Sequence, residues 1–69
     1  MYISEVYFQD LHLQYGDMIY LVIETGEGFT GNYHNNFTGS SFSFSNFSNG
    51  REEIIELDKL QQLERVKNS

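Results

Sequence analysis

The sequence predicts an all-β fold: a small, strongly bent antiparallel barrel of five or six strands, with one short helical turn near the C-terminus. Three observations predict it. Apolar residues alternate with polar ones in short runs, as in Phe42-Ser43-Phe44, which is the period of a strand with one buried face. Six glycines punctuate these runs as turn signals, and there is no proline. Five Tyr and six Phe supply the large buried areas that a 69-residue chain needs when it has no cysteine for crosslinks.

Residues 1–8 are rich in β-formers, Tyr2, Ile3, Val6, Tyr7 and Phe8, and read as a strand. Ile3, Val6, Tyr7 and Leu11 also fit one helical face, so the segment is a strand or a helix. Asp10 to Asp17 reads as a connection. Met18 to Glu24 is the strongest strand, with Ile19, Leu21 and Ile23 on one face and Tyr20 and Val22 on the other. Apolar residues on both faces predict cover on both sides, by the N-terminal segment or by another subunit. Thr25-Gly26-Glu27-Gly28 is a tight hairpin, and Phe29 to Asn35 returns as the next strand. A loop, Asn36 to Ser40, leads into a strand from Ser41 to Phe47. There Phe42 and Phe44 point inward, and Ser41, Ser43 and Ser45 form a wet outer face. The parity flips at Asn46-Phe47, which marks a bulge or the strand's end. Ser48-Asn49-Gly50 is a turn. Glu52 to Leu57 follows as a strand, with Ile55 and Leu57 inward and Ile54 partly covered. Asp58 then caps a helical or 3₁₀ turn over Lys59-Leu60-Gln61-Gln62, before a short strand from Leu63 to Val66. The rhythm Leu57, Leu60, Leu63, Val66 also fits a short helix. The chain is one domain over 1–69, with its barrel core at 18–66 and a frayed tail at 67–69.

The net charge is −6, and it is unevenly spread. Residues 1–50 contain Glu5, Asp10, Asp17, Glu24 and Glu27 but no Lys or Arg. Arg51, Lys59, Arg65 and Lys67 all follow, beside Glu52, Glu53, Glu56, Asp58 and Glu64. Nucleic-acid binding draws on Lys and Arg at phosphates, so this balance points away from it without excluding it. The acidity serves solubility, or it forms a face for a basic partner and imitates nucleic acid. No run approaches the roughly 18 apolar residues of a membrane span. The N-terminus lacks a basic and apolar leader pattern, and with no cysteine this predicts a cytoplasmic protein. On that expectation the acceptor patterns Asn36-Phe37-Thr38 and Asn46-Phe47-Ser48 stay unglycosylated. A Cys/His zinc site is excluded, and neither a metal nor a cofactor is expected.

The pattern Ile19-x-Leu21-x-Ile23-x-x-Gly26-x-x-Phe29-x-Gly31-x-Tyr33 resembles the first motif of Sm-like barrels. Phe42 and Phe44 fall where that motif ends in its own apolar pair. Ile55-x-Leu57-x-x-Leu60-x-x-Leu63 resembles the closing strand, turn and strand of Sm-like chains and of small bacterial YolD-like proteins. The match covers about residues 18–66, and SH3-like barrels share much of it. The resemblance implies a barrel, a ring and RNA bound in its pore. The family's RNA site is not matched: Phe37 stands at its Asp position and Ser41 at its Asn position, and Arg51 precedes its strand instead of closing it. The family also begins with a helix. What the resemblance leaves is the barrel and its self-association.

Thr25-Gly26-Glu27-Gly28 opens no helix and carries no Lys, so it is a hairpin and not a phosphate loop. No Gly-x-Ser-x-Gly elbow positions a nucleophile, and no carboxylate pair is identifiable for acid–base work, so the chain is not expected to be an enzyme. Tyr15, Tyr20, Tyr33 and Phe37 suit either a binding surface or the core of a small barrel. His34, beside Asn32, Asn35 and Asn36, is a polar loop end or a ligand-reading group, and Ser41 is a further binding candidate. The functional expectation is a small acidic binding protein that forms homo-oligomers and docks on a protein partner as regulator or inhibitor. A phage or mobile-element origin is compatible with so compact a chain. The alternative is an Sm-like ring that binds RNA or a small nucleotide, with aromatic stacking in place of basic residues.

Overall fold

The computed structural model describes residues 3–66. It is a small all-β fold, with one helix, five strands and one 3₁₀ turn among the described residues: α1 (Glu5–Asp10), β1 (Met18–Ile23), β2 (Gly28–Tyr33), β3 (Ser41–Asn46), β4 (Arg51–Glu56), η1 (Leu57–Lys59) and β5 (Leu60–Arg65). The strands form one antiparallel sheet in the order β4-β3-β2-β1-β5.

The N-terminal segment is a helix, not a sixth strand. Its composition favours a strand, but Ser4 caps it: the Ser4 hydroxyl accepts the Tyr7 amide at 3.1 Å, and the Ser4 carbonyl accepts the Phe8 amide at 3.0 Å. Glu5 in the first turn complements the helix N-terminus. Phe8 is buried and Ile3 and Leu11 pack on the same core, so one stripe of the segment faces inward. Met1 and Tyr2, the start of the expected strand, lie outside the described residues, as does the expected tail 67–69.

The sheet cannot be flat. β4 and β5 are its two edges, yet the three residues of η1 join them. Four strand spacings would separate the edges of a flat sheet by about 19 Å. A 3₁₀ turn advances only about 2 Å per residue. The sheet therefore rolls until its edges approach, and the overall extents are 25 × 25 × 23 Å.

Gly31 permits the roll. It faces Asn46 across β2–β3, and a Cβ there would run into the Ser45 carbonyl and lie 2.6 Å from the Phe44 ring. The interior holds Phe8, Ile19, Leu21, Tyr33, Phe42, Phe44, Leu57, Leu60 and Leu63. Phe8 stacks on Phe37 at 4.2 Å and also meets Phe42 and Tyr33 at 5.1 and 5.8 Å. Helix α1 thus closes one end of the rolled sheet with an aromatic plug.

The C-terminal turn sits two residues earlier than the sequence suggests. It is Leu57–Lys59, with Glu56 at the cap position and no side-chain cap, and β5 starts at Leu60. Leu57, Leu60 and Leu63 are all buried at intervals of three. The turn accounts for the first interval. A register shift opposite Val22/Ile23 accounts for the second, because it lets Leu60 and Leu63 face the same way. On β4, Ile54 is not partly covered but 74% exposed, since strand alternation turns it outward, opposite to Ile55. β3 ends at Asn46, as the parity flip suggested, and leaves Phe47 half exposed.

No helix among the described residues is long and apolar enough to cross a membrane. We expect Gly31→Ala to destabilise the fold by about 2–4 kcal/mol, through forced separation of β2 and β3. A denaturant melt followed by circular dichroism measures this; an unchanged midpoint would mean that the roll does not depend on that contact.

Candidate functional site

The chemistry-bearing side chains gather on the outer face, where β2, β3 and β4 lie side by side. The site begins where β2 stops. Asn35 takes a positive φ of 56°, which turns the chain away from β3 after His34. The next residue restores the lost ladder: Asn36 Oδ1 accepts the Ser43 amide at 2.9 Å, and Asn36 Nδ2 donates to the Ser43 hydroxyl. Ser43 Oγ donates onward to Glu52 Oε2 at 2.9 Å. The same oxygen lies 3.8 Å from His34 Nδ1, and His34 Nε2 shares a 2.6 Å hydrogen bond with Ser45 Oγ. The exposed Tyr15 ring sits 5.8 Å from the His34 ring at 60°.

This network corrects the expected wet face of β3 at Ser43, while Ser41 and Ser45 stay partly exposed. Ser43 is only 2% exposed, because the Asn36 and Glu52 side chains fold over it. Asn46 is equally buried. It donates to Glu53 Oε2 at 3.1 Å and accepts the Ser48 amide at 2.8 Å, while Asn49 donates to the same Glu53 oxygen at 2.7 Å. Among the described residues, every fully buried side-chain polar atom has a partner.

The candidates named from sequence divide. Tyr15, His34 and Asn36 come together in this network. Tyr20 lies elsewhere on the outer face, across Gly28, where a Cβ would meet its phenol ring at 3.0 Å. Ser41 turns into the loop and shares a 3.0 Å hydrogen bond with Thr38 Oγ1. Tyr33 belongs to the core, 2% exposed against Phe8 and Phe42, and Phe37 is half-buried at its margin, stacked on Phe8. Sequence reading missed Ser43, Ser45 and Glu52 as members of one cluster. The signal was their outward parity on β3 and β4, which becomes a cluster only through the register Ser45↔Glu52.

Tyr33 carries the one resolved titration shift among the described residues. Burial raises its phenol above the ordinary value of 10.0, with backbone hydrogen bonding from Phe37 pulling the other way. The native state holds that proton more tightly than the unfolded chain. The resulting stability is complete below the unfolded pKa and is lost as pH rises toward the folded one.

Beside α1, a cleft of about 280 Å³ is floored by Ile3 and Leu57 and rimmed by Glu5, Glu56 and Asp58. These carboxylates do not converge: among the described residues no group of three or more His, Cys, Asp or Glu could hold a metal ion. On the far side, the Arg65 guanidinium donates to the Leu11 and His12 carbonyls and lies 3.5 Å from Asp17, tying the α1–β1 connection to β5.

Comparison of the chain with protein-family models, curated proteins and solved structures returns no match.

Two outcomes follow from these contacts. Replacing Asn36 by Ala should cost about 1–3 kcal/mol, because it strands the Ser43 amide; amide exchange at Ser43 would rise sharply, and unchanged protection would refute the capping role. Stability should fall as pH rises above about 10, the ordinary phenol value, and Tyr33→Phe should flatten that part of the stability curve. An equally steep curve in the variant would assign the effect to another group.

Proposed function

We propose that this chain is a small acidic, non-enzymatic binding protein that self-associates and docks on a protein partner, regulating or inhibiting it. The observation that carries the reading is the surface left by the fold: Tyr15, Val6 and Ile54 stand 69–74% exposed on a chain of net charge −6. Exposed aromatic and aliphatic side chains in an acidic setting suit contact with a protein that offers apolar and basic groups.

The polar cluster supports binding over catalysis. Ser45, His34 and Glu52 follow the order of a hydrolytic relay, but Ser43 already occupies the carboxylate oxygen that would orient His34. The neighbouring amides are committed as well, Ser43 to Asn36 and His34 to the Ser43 carbonyl, which leaves no paired backbone donors for a developing oxyanion.

The Sm-like resemblance gains one point of support, since α1 stands where such chains begin with a helix. Its RNA-binding reading gains less. Of the candidate stacking residues, Tyr33 is interior and Phe37 is half-buried against Phe8, and no Lys or Arg precedes residue 51. Size-exclusion chromatography with light scattering tests the self-association. We expect a dimer or larger species at micromolar concentration; a clean monomer there removes that half of the proposal.

A further inference from the structure

We propose that the free edge of β4 accepts an extended basic segment of a partner protein as an added strand, in a basic–x–apolar–x–basic pattern. This rests on the protein-docking reading above and names where the docking occurs and what chemistry docks.

The two edges of the sheet are not equivalent. On β4, the Leu57 amide donates to the Ser40 carbonyl at 2.8 Å. With the register Ser41↔Glu56 through Asn46↔Arg51, that contact fixes which β4 residues point at β3. In an antiparallel ladder the two orientations alternate. The backbone N–H and C=O groups of Glu52, Ile54 and Glu56 therefore point away from the sheet. On β5, the Val66 amide bonds to Met18, so the same alternation turns Leu63 toward its own free edge. There the Tyr7 hydroxyl already donates to the Leu63 carbonyl at 2.9 Å. Helix α1 covers the β5 edge with Tyr7, whereas among the described residues no side chain bonds to the outward backbone of β4.

The side chains of Glu52, Ile54 and Glu56 share the outer face, as an acid, an apolar residue that is 74% exposed, and an acid. A strand added here places its directly opposed side chains on that same face. Beyond Glu56, the acid-rimmed cleft with Glu5 and Asp58 extends the negative strip. A second copy of β4 is the wrong occupant. Pairing all three residues antiparallel sets Ile54 against Ile54 and Glu52 against Glu56 at both ends, where like charges repel. A basic strand reverses that sign at both positions.

The test uses the full chain and an acetylated, amidated peptide of sequence TKTITKT, with TETITET as control, followed by amide NMR and hydrogen exchange. The lysine peptide should shift the Glu52, Ile54 and Glu56 amides saturably and slow their exchange by about tenfold near saturation. Its affinity should fall several-fold between about 50 and 500 mM NaCl. Ile54→Pro deletes the central free donor without touching the β3–β4 ladder and should abolish the response. Should that variant fail to fold, Glu56→Gln should weaken binding a few-fold. An absent response, equal binding of the acidic peptide, or shifts confined to another surface overturns the site. Protection of the three amides that is lost as a dimer dissociates would make a second copy the occupant and likewise overturn it. Light scattering on the same sample reads self-association separately, so the edge site can fail while the wider binding function stands.

Discussion

The short passage from β4 to β5 constrains everything else in this protein. Leu57–Lys59 joins the two strands that lie farthest apart in the sheet order, so the sheet has to roll. Rolling creates an inside, and the inside is filled by the residues whose parity places them there: Ile19 and Leu21 from β1, Tyr33 from β2, Phe42 and Phe44 from β3, and Leu63 from β5. Leu57 and Leu60, at the two ends of the turn, are themselves buried, so the connection is anchored by the core that it encloses. A chain without disulfides or a coordinated metal among its described residues must draw cohesion from such packing. The aromatic group around Phe8 supplies it at the end left open by the roll.

The same constraint arranges the outer face. Bending brings β2, β3 and β4 into a curved strip on which His34, Ser43, Ser45 and Glu52 meet. Because β2 leaves the sheet at Asn35, the ladder there is completed by a side chain, Asn36, and not by backbone. A polar side chain that replaces a strand residue is sensitive to its own geometry. Here Asn36 is held by two bonds to one serine, and that serine is held by Glu52. The result is a hydrogen-bonded network that ties the position of Glu52 on the β4 edge to the end of β2.

Much of the sheet was legible in the chain because its signals are local. Period-two alternation at Ile19, Leu21 and at Phe42, Phe44, with Gly-containing turns between, locates β1 to β4 within a residue or two. What was not legible depends on partners distant in sequence. The N-terminal segment carries β-forming side chains, but the Ser4 cap and the packing of Phe8 into the aromatic core decide in favour of a helix. Spacing of three at Leu57, Leu60 and Leu63 fits a helix as well as it fits a turn followed by an irregular strand, and only the register against Val22/Ile23 separates them. The serines of β3 read as solvent-facing because parity assigns a face, not a depth. Ser43 lies under Asn36 and Glu52, which come from either side of it in the chain. Tyr33 and Phe37 had the chemistry of contact residues, but against α1 Tyr33 is interior and Phe37 is half-buried on Phe8.

The uneven charge then acquires a structural meaning. A bare β-edge is a hazard, since its unpaired backbone groups will accept any extended chain, including another copy of the same protein. The two edges here meet that hazard differently. On β5 a tyrosine hydroxyl from α1 takes the exposed Leu63 carbonyl, which is a steric and hydrogen-bonding block. On β4 the protection is electrostatic: Glu52 and Glu56 flank Ile54 and oppose themselves in a symmetric pairing. A steric block excludes every strand alike, whereas a charge excludes only strands of its own sign. The acidic residues on β4 therefore discourage aggregation and select for a basic segment through one physical effect. That difference is why the two edges, alike in backbone chemistry, are not alike as surfaces for recognition.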